Sequence, residues 1–174
     1  MKQNFEKSLA FLLKSEGGFQ SDPRDSGNAN GGMTNLGVTK STWEEYVGHS
    51  VDEKAMRGLT QALVTPLYKR KYWDKVQGDD LPTGVDYCVF DTAVNSGPGR
   101  AIKFLQGVVG VDMDGALGPK TLAAVAAFDK KQLIEDYSKR RLSYLQDLPK
   151  WSVFGKGWTK RVEDVEANAL QMLQ

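Results

Sequence analysis

The chain has 174 residues, with 23 basic and 22 acidic side chains and one cysteine. That length suits one body burying roughly 70% of its unfolded surface without disulfides or a structural metal. The balanced charge directs no strong field at nucleic acid.

Met1 to Lys14 is interrupted by Glu6, Lys7 and Ser8, which is unlike a signal peptide, and no stretch is long and apolar enough to span a membrane. The expectation is synthesis in the cytoplasm without a Sec-type export signal. Phe5, Leu9, Leu12 and Leu13 recur at helical spacing and predict a helix with Glu16 in its last turn and Gly17 just beyond it. A glycine-rich loop follows, and Met33–Thr39 has room for a small hairpin. Thr39 to Ser41 offers caps for a short helix carrying Trp43, Tyr46 and Val47, and Val51 to Leu59 reads as another, with Asp52 favouring its N-terminus. Thr65-Pro66 predicts a helix start, with Leu67, Tyr68, Tyr72 and Trp73 beyond it.

Pro82 opens a stripe of Val85, Val89, Phe90 and Ala93 that ends at Asn95-Ser96-Gly97, and Pro98 starts the next helix, with Ile102, Leu105 and Val109 inward. Gly118-Pro119 leads into T-L-A-A-V-A-A-F, which reads as the most buried helix. Lys130 to Leu148 reads as the longest, stopped by Pro149. Trp151, Phe154, Gly155 and Gly157 predict an aromatic turn before a last helix holding Trp158, Val162, Val165, Ala169 and Met172. The basic clusters Lys69-Arg70-Lys71, Lys139-Arg140-Arg141 and Lys160-Arg161 read as solvated helix faces at least as well as contacts for an anionic partner such as the cell wall. The fold class is mainly α.

The stretch Ser15–Thr39, S-E-G-G-F-Q-S-D-P-R-D-S-G-N-A-N-G-G-M-T-N-L-G-V-T, carries the chemistry. A carboxyl at a helix C-terminus meets partial negative charge, and an apolar wall such as Phe19 would disfavour its ionisation further. Glu16 so placed suits a general acid. Asp25 follows after eight residues, on a loop open to solvent. Two carboxyls in contrasting surroundings are what a glycosidase needs, although a turn rich in Asp, Pro and Gly also occurs without any catalytic role.

E-G-G-F, D-P-R-D and G-G-M-T-N-L-G-V-T resemble the glycoside hydrolase 108 family, N-acetylmuramidases of the lysozyme superfamily found as phage endolysins and in bacterial secretion-linked loci. The resemblance implies a lysozyme-like helical fold, with Glu16 as catalytic acid. It places Asp25 to stabilise the oxocarbenium charge or activate water, and Thr34, before Thr39, to position that water. The chain departs from the pattern at Asn28–Gly31, which reads as a few extra loop residues. A-V-N-S-G-P-G-R-A-I-K-F-L-Q and D-G-A-L-G-P-K-T-L resemble the family's predicted peptidoglycan domain. The expected organisation is one compact body and a monomer, with residues 1–97 catalytic and 98–174 a helical peptidoglycan-binding segment packed on them. Bacterial peptidoglycan is the implied partner, reached in the periplasm or cell wall through a holin or a dedicated secretion route.

Substrate contacts are sought at Thr39, at Tyr72, whose ring can stack on a sugar or fill a core, and at Asn95, which suits either a helix cap or an acetamido contact. A lone His49 and a lone Cys88 leave no His-rich zinc site, and Cys88 inside an apolar stripe reads as core. Asp112-Met113-Asp114-Gly115 lacks the glycine and glutamate placement of a calcium loop and reads as a turn. No cofactor or metal is expected. A lytic transglycosylase needs the same acid without a positioned water, and a non-catalytic peptidoglycan binder needs no acid at all.

Overall fold

The computed structural model describes residues 2–25 and 28–174. Its elements are α1 (Lys2–Glu16), β1 (Thr34–Asn35), β2 (Val38–Thr39), α2 (Lys40–Val47), α3 (Glu53–Arg57), α4 (Gln61–Tyr68), α5 (Val85–Ser96), α6 (Pro98–Val109), α7 (Pro119–Ala127), α8 (Lys130–Gln146) and α9 (Trp151–Gln171). The protein is mainly α with one two-stranded antiparallel hairpin. Residues 9–69 make one compact unit, and residues 1–8 with 70–174 make another.

In residues 9–69 the apolar centre is made of Leu9, Leu12, Val38, Trp43, Met56, Leu59, Val64, Leu67 and Tyr68, all buried. Side-chain caps start the short helices. Thr39 accepts from the Thr42 amide, Asp52 from Ala55 and Thr60 from Leu63, each occupying one of the amides a helix leaves unpaired at its N-terminus. Asn35 donates to the Met56 carbonyl at 2.8 Å, tying β1 to α3. The expected helix start at Thr65-Pro66 is displaced. Thr60 is the N-cap, Pro66 lies inside α4, and a π-helical stretch follows at Lys69–Trp73. A proline interior to a helix removes one backbone donor, and the wider π turn follows directly on it.

The other unit is built around α5, where nine of twelve residues are buried. Phe5, Trp73 and Phe90 meet ring to ring at 5.4 to 5.9 Å. Gly84, at φ +87°, precedes α5, and Asp86 Oδ1 accepts from the amides of Gly84 and Tyr87 to close its first turn. Gly97 ends α5, so Asn95 is an exposed residue of the last turn and not the cap. The alanine-rich α7 buries only Thr121 and Val125, because alanine tolerates either environment and says little about which face is inward.

The longest described helix is α9, and it begins at Trp151, where a turn was expected. Gly155 lies inside it under the Trp151 indole, which approaches to 2.7 Å of where a Cβ would stand. Two of the clusters read as solvated contain anchors. Arg141 (3% exposed) and Arg161 (16% exposed) both pair with buried Asp91, at 2.7 and 3.0 Å. Burial pushes the Asp91 carboxyl up, but the two guanidiniums outweigh it and hold it below the usual range. Asp112–Gly115 lies in the irregular segment between α6 and α7, fastened by Gln106, whose amide donates to Asp114 and whose oxygen accepts from Gly115.

Candidate active site

Glu16 is the last residue of α1, half-buried, and Gly17 turns the chain away at φ +71°. The hairpin that follows has a two-residue turn, Leu36-Gly37, between the pairs Thr34↔Thr39 and Asn35↔Val38. Both turn residues have positive φ, +50° and +75°, the sign pattern that suits the twist of a hairpin. For Leu36 this costs about 1 kcal/mol or more, and the Tyr68 hydroxyl holds the turn by donating to the Leu36 carbonyl at 2.7 Å. A Cβ on Gly37 would stand 2.8 Å from Glu16 Cγ and 2.6 Å from the Tyr68 oxygen. The turn therefore lies against the stem of Glu16, and only glycine combines that φ with that approach. Phe19 is less of an apolar wall than expected, since the Arg57 guanidinium sits 3.9 Å above its ring.

The loop after α1 is stitched to the hairpin by a reciprocal pair of backbone bonds between Gln20 and Thr34, both 2.8 Å. Asp25 is exposed on this loop and accepts from Gln20 Nε2 at 2.9 Å. Gln20 Oε1 accepts from Asn28 Nδ2 at 2.6 Å, and Asn28 Oδ1 accepts from the Thr34 hydroxyl at 2.8 Å. Asp22 has a different task. Its carboxylate accepts from the Arg24 amide and guanidinium, chiefly the latter, and its pKa is held down to about 2.

Asp25 and Thr34 thus belong to one hydrogen-bonded network, and Glu16 lies beside the turn of the hairpin that Thr34 begins. The Thr39 hydroxyl caps α2 and donates to Thr42. Tyr72, half-buried in the π-helical stretch, and Asn95 belong to the other unit. Trp73 and Trp43 are core residues. Cys88 is 1% exposed and burial pushes its thiol far up, which is inconsistent with a thiolate nucleophile. Among the described residues, no three His, Cys, Asp or Glu side chains cluster as metal ligands would, and no helix is long and apolar enough to cross a membrane.

Gln20, Asn28, Gly37 and Tyr68 carry parts of this site that the sequence did not reveal. Asn28, read as part of a loop extension, is 1% exposed and holds the loop together. The only usable signal was the pair Leu-Gly between T-N and V-T, which marks a tight turn but not what lies beneath it.

The described geometry sets a half-buried glutamate beside a hairpin turn, with an aspartate on the adjoining loop. Residues 9–97 match the glycosyl hydrolase 108 family, and residues 100–163 match a predicted peptidoglycan domain. The solved structure of Brucella abortus SagA is 43% identical, with a TM-score of 0.88, covering 99% of this chain and 97% of that one. No curated protein matches the chain. The chain belongs to glycosyl hydrolase family 108: it is a peptidoglycan hydrolase with a peptidoglycan-binding domain, and its mainly helical fold is consistent with a lysozyme-like one.

Proposed function

We propose that the protein is an N-acetylmuramidase that hydrolyses the β-1,4 bond between C1 of N-acetylmuramic acid and O4 of N-acetylglucosamine. The observation that carries this is the placement of Glu16 at the end of α1, its stem held by the Gly37 turn, next to a hairpin whose Thr34 is linked to Asp25. Glu16 gives its proton to the glycosidic oxygen as the C1–O bond breaks and the sugar takes on oxocarbenium character. Asp25 stabilises that charge or takes the proton of the water that adds to C1, and Thr34 orients the water. Tyr72 and Asn95 are proposed as sugar contacts, and Thr39 as a secondary one, since its hydroxyl already serves α2.

A polar network ending at a loop hydroxyl favours hydrolysis over a lytic transglycosylase, which has no water to position. Mass spectrometry of the ends released from purified peptidoglycan separates the two: a reducing muramic end is expected, and an anhydro-muramic end would replace this reading with the transglycosylase. Glu16→Gln is expected to keep the melting temperature and lose roughly two to four orders of magnitude in rate. A variant with near-wild-type turbidity clearance would remove Glu16 from the role of acid.

A further inference from the structure

The amides of Gln20 and Asn28 have a fixed polarity, set by groups that can only accept or only donate. The Asp25 carboxylate only accepts, so Gln20 presents Nε2 to it at 2.9 Å. The Asp22 backbone amide only donates, and it bonds Gln20 Oε1 at 3.0 Å. Asn28 Nδ2 donates both to that same Oε1, at 2.6 Å, and to the Asp22 carbonyl, at 3.1 Å. Asn28 Oδ1 is thereby turned towards Thr34, whose hydroxyl donates a hydrogen bond to it at 2.8 Å. A hydroxyl has one proton. Thr34 Oγ1 is left with lone pairs only, so a water beside it must direct an O–H bond at Thr34 and present its own lone pair elsewhere.

We propose that Gln20 and Asn28 are positioning residues that couple the carboxylate of Asp25 to the direction of the Thr34 hydroxyl, and so to the orientation of the attacking water. This rests on the roles given above to Asp25 and Thr34. Backbone geometry supports it, because the reciprocal Gln20–Thr34 bonds hold the two ends of the relay in register. The buried position of Asn28 keeps bulk water from competing for its amide. The charged groups on the Asp25 loop and on the elements joined to it or touching it are Asp22 and Arg24 on the loop, Glu16 at the end of α1, Lys40 at the start of α2, and Arg57 over Phe19. Arg24 closes on Asp22.

Gln20→Glu tests the coupling with little structural change. A glutamate still accepts from the Asp22 amide and from Asn28, but it sets a second carboxyl against Asp25. Two carboxyls sharing a site raise the titration of the pair. Expected on purified peptidoglycan are an acid limb of the kcat/KM profile moved up by about one pH unit, kcat at pH 6 lowered about tenfold, KM little changed and an unchanged melting temperature. The carbon-13 NMR titration of the Asp25 carboxyl should move up with the limb. Gln20→Met, which removes the amide at similar length, should lower kcat without raising that titration. An unshifted profile and an unshifted Asp25 titration, in a Gln20→Glu protein of any stability, would overturn the proposal and make Gln20 a loop brace. If wild-type protein released no reducing ends, or Glu16→Gln kept full rate, the muramidase reading would fail first and the positioning role with it.

Discussion

Residues 9–69 and the unit made of residues 1–8 and 70–174 spend their polar groups in opposite ways. In the first, a loop with little regular structure is held by a chain of neutral amides that ends on an exposed carboxylate. In the second, the strongest polar feature is a fully buried aspartate gripped by two arginines, with α6, α8 and α9 packed around α5. A neutral amide chain can aim a hydroxyl without the desolvation cost of a buried charge, whereas a buried ion set is strong but rigidly demands all its members. On the proposed roles of Asp25 and Thr34, a division follows: the first region orients and the second holds.

The largest effect expected from breaking it is removal of everything after Gly97. We propose that the protein behaves as a single cooperative body, and the shortened chain tests this. It would keep α5 while losing α6, α8 and α9, which pack against it, so the helix would lose that cover and Asp91 both arginines. The fragment should be insoluble or molten, with no cooperative transition by calorimetry and no lytic activity. A soluble fragment that melts cooperatively and still clears cell walls would show two independent domains.

A smaller break tests the holding region alone. Arg141→Met removes one partner of a buried carboxylate, and such removals cost about 3–5 kcal/mol. Denaturant unfolding should show that loss. The rate per folded molecule on peptidoglycan, measured well below the new midpoint, should stay near wild type. A large fall in that rate with little loss of stability would mean the triad serves the chemistry and would blur the division between the two regions.

How far each region was legible in the sequence follows the same division. Apolar periodicity marked α1, α5, α6 and α8 because burial of a stripe is what forms those helices. It failed where another force decided. Arg141 and Arg161 sit in runs of lysine and arginine that look solvated, and nothing local distinguishes a guanidinium that meets a buried carboxylate 50 or 70 residues away. Gly155 and Gly157 suggested a turn, yet a glycine beneath Trp151 lets the indole lie flat on a continuing helix. The place of Glu16 at a helix end was readable because its helix and the glycine that ends it are local. Gln20 and Asn28 were not, because their worth lies in which atom each amide presents to residues five to eight positions along.

The smallest expected effect contrasts the two aspartates of the orienting loop. Asp25→Asn should lower kcat roughly a hundredfold or more with little change in melting temperature, because the residue is exposed and an amide oxygen can still accept from Gln20. Asp22→Asn should do the reverse, lowering the melting temperature slightly and leaving turnover nearly intact. Its sign with pH is fixed by the direction of the shift. The Asp22 carboxyl titrates at about 2 in the folded protein against a reference of 3.8, so the ionised form is favoured by folding. Its contribution is present in full above the unfolded value and is lost as pH falls through about 2. The gap in melting temperature between wild type and Asp22→Asn should therefore be open at pH 6 and close as the solution is taken towards pH 2. Because the pair is exposed, added salt should narrow the gap at pH 6 as well. A gap that persisted unchanged into strong acid would show that the Asn variant disturbs the loop's backbone and not its charge. An Asp22→Asn protein that was stable but slow, beside an Asp25→Asn protein that was unstable but active, would exchange the two roles.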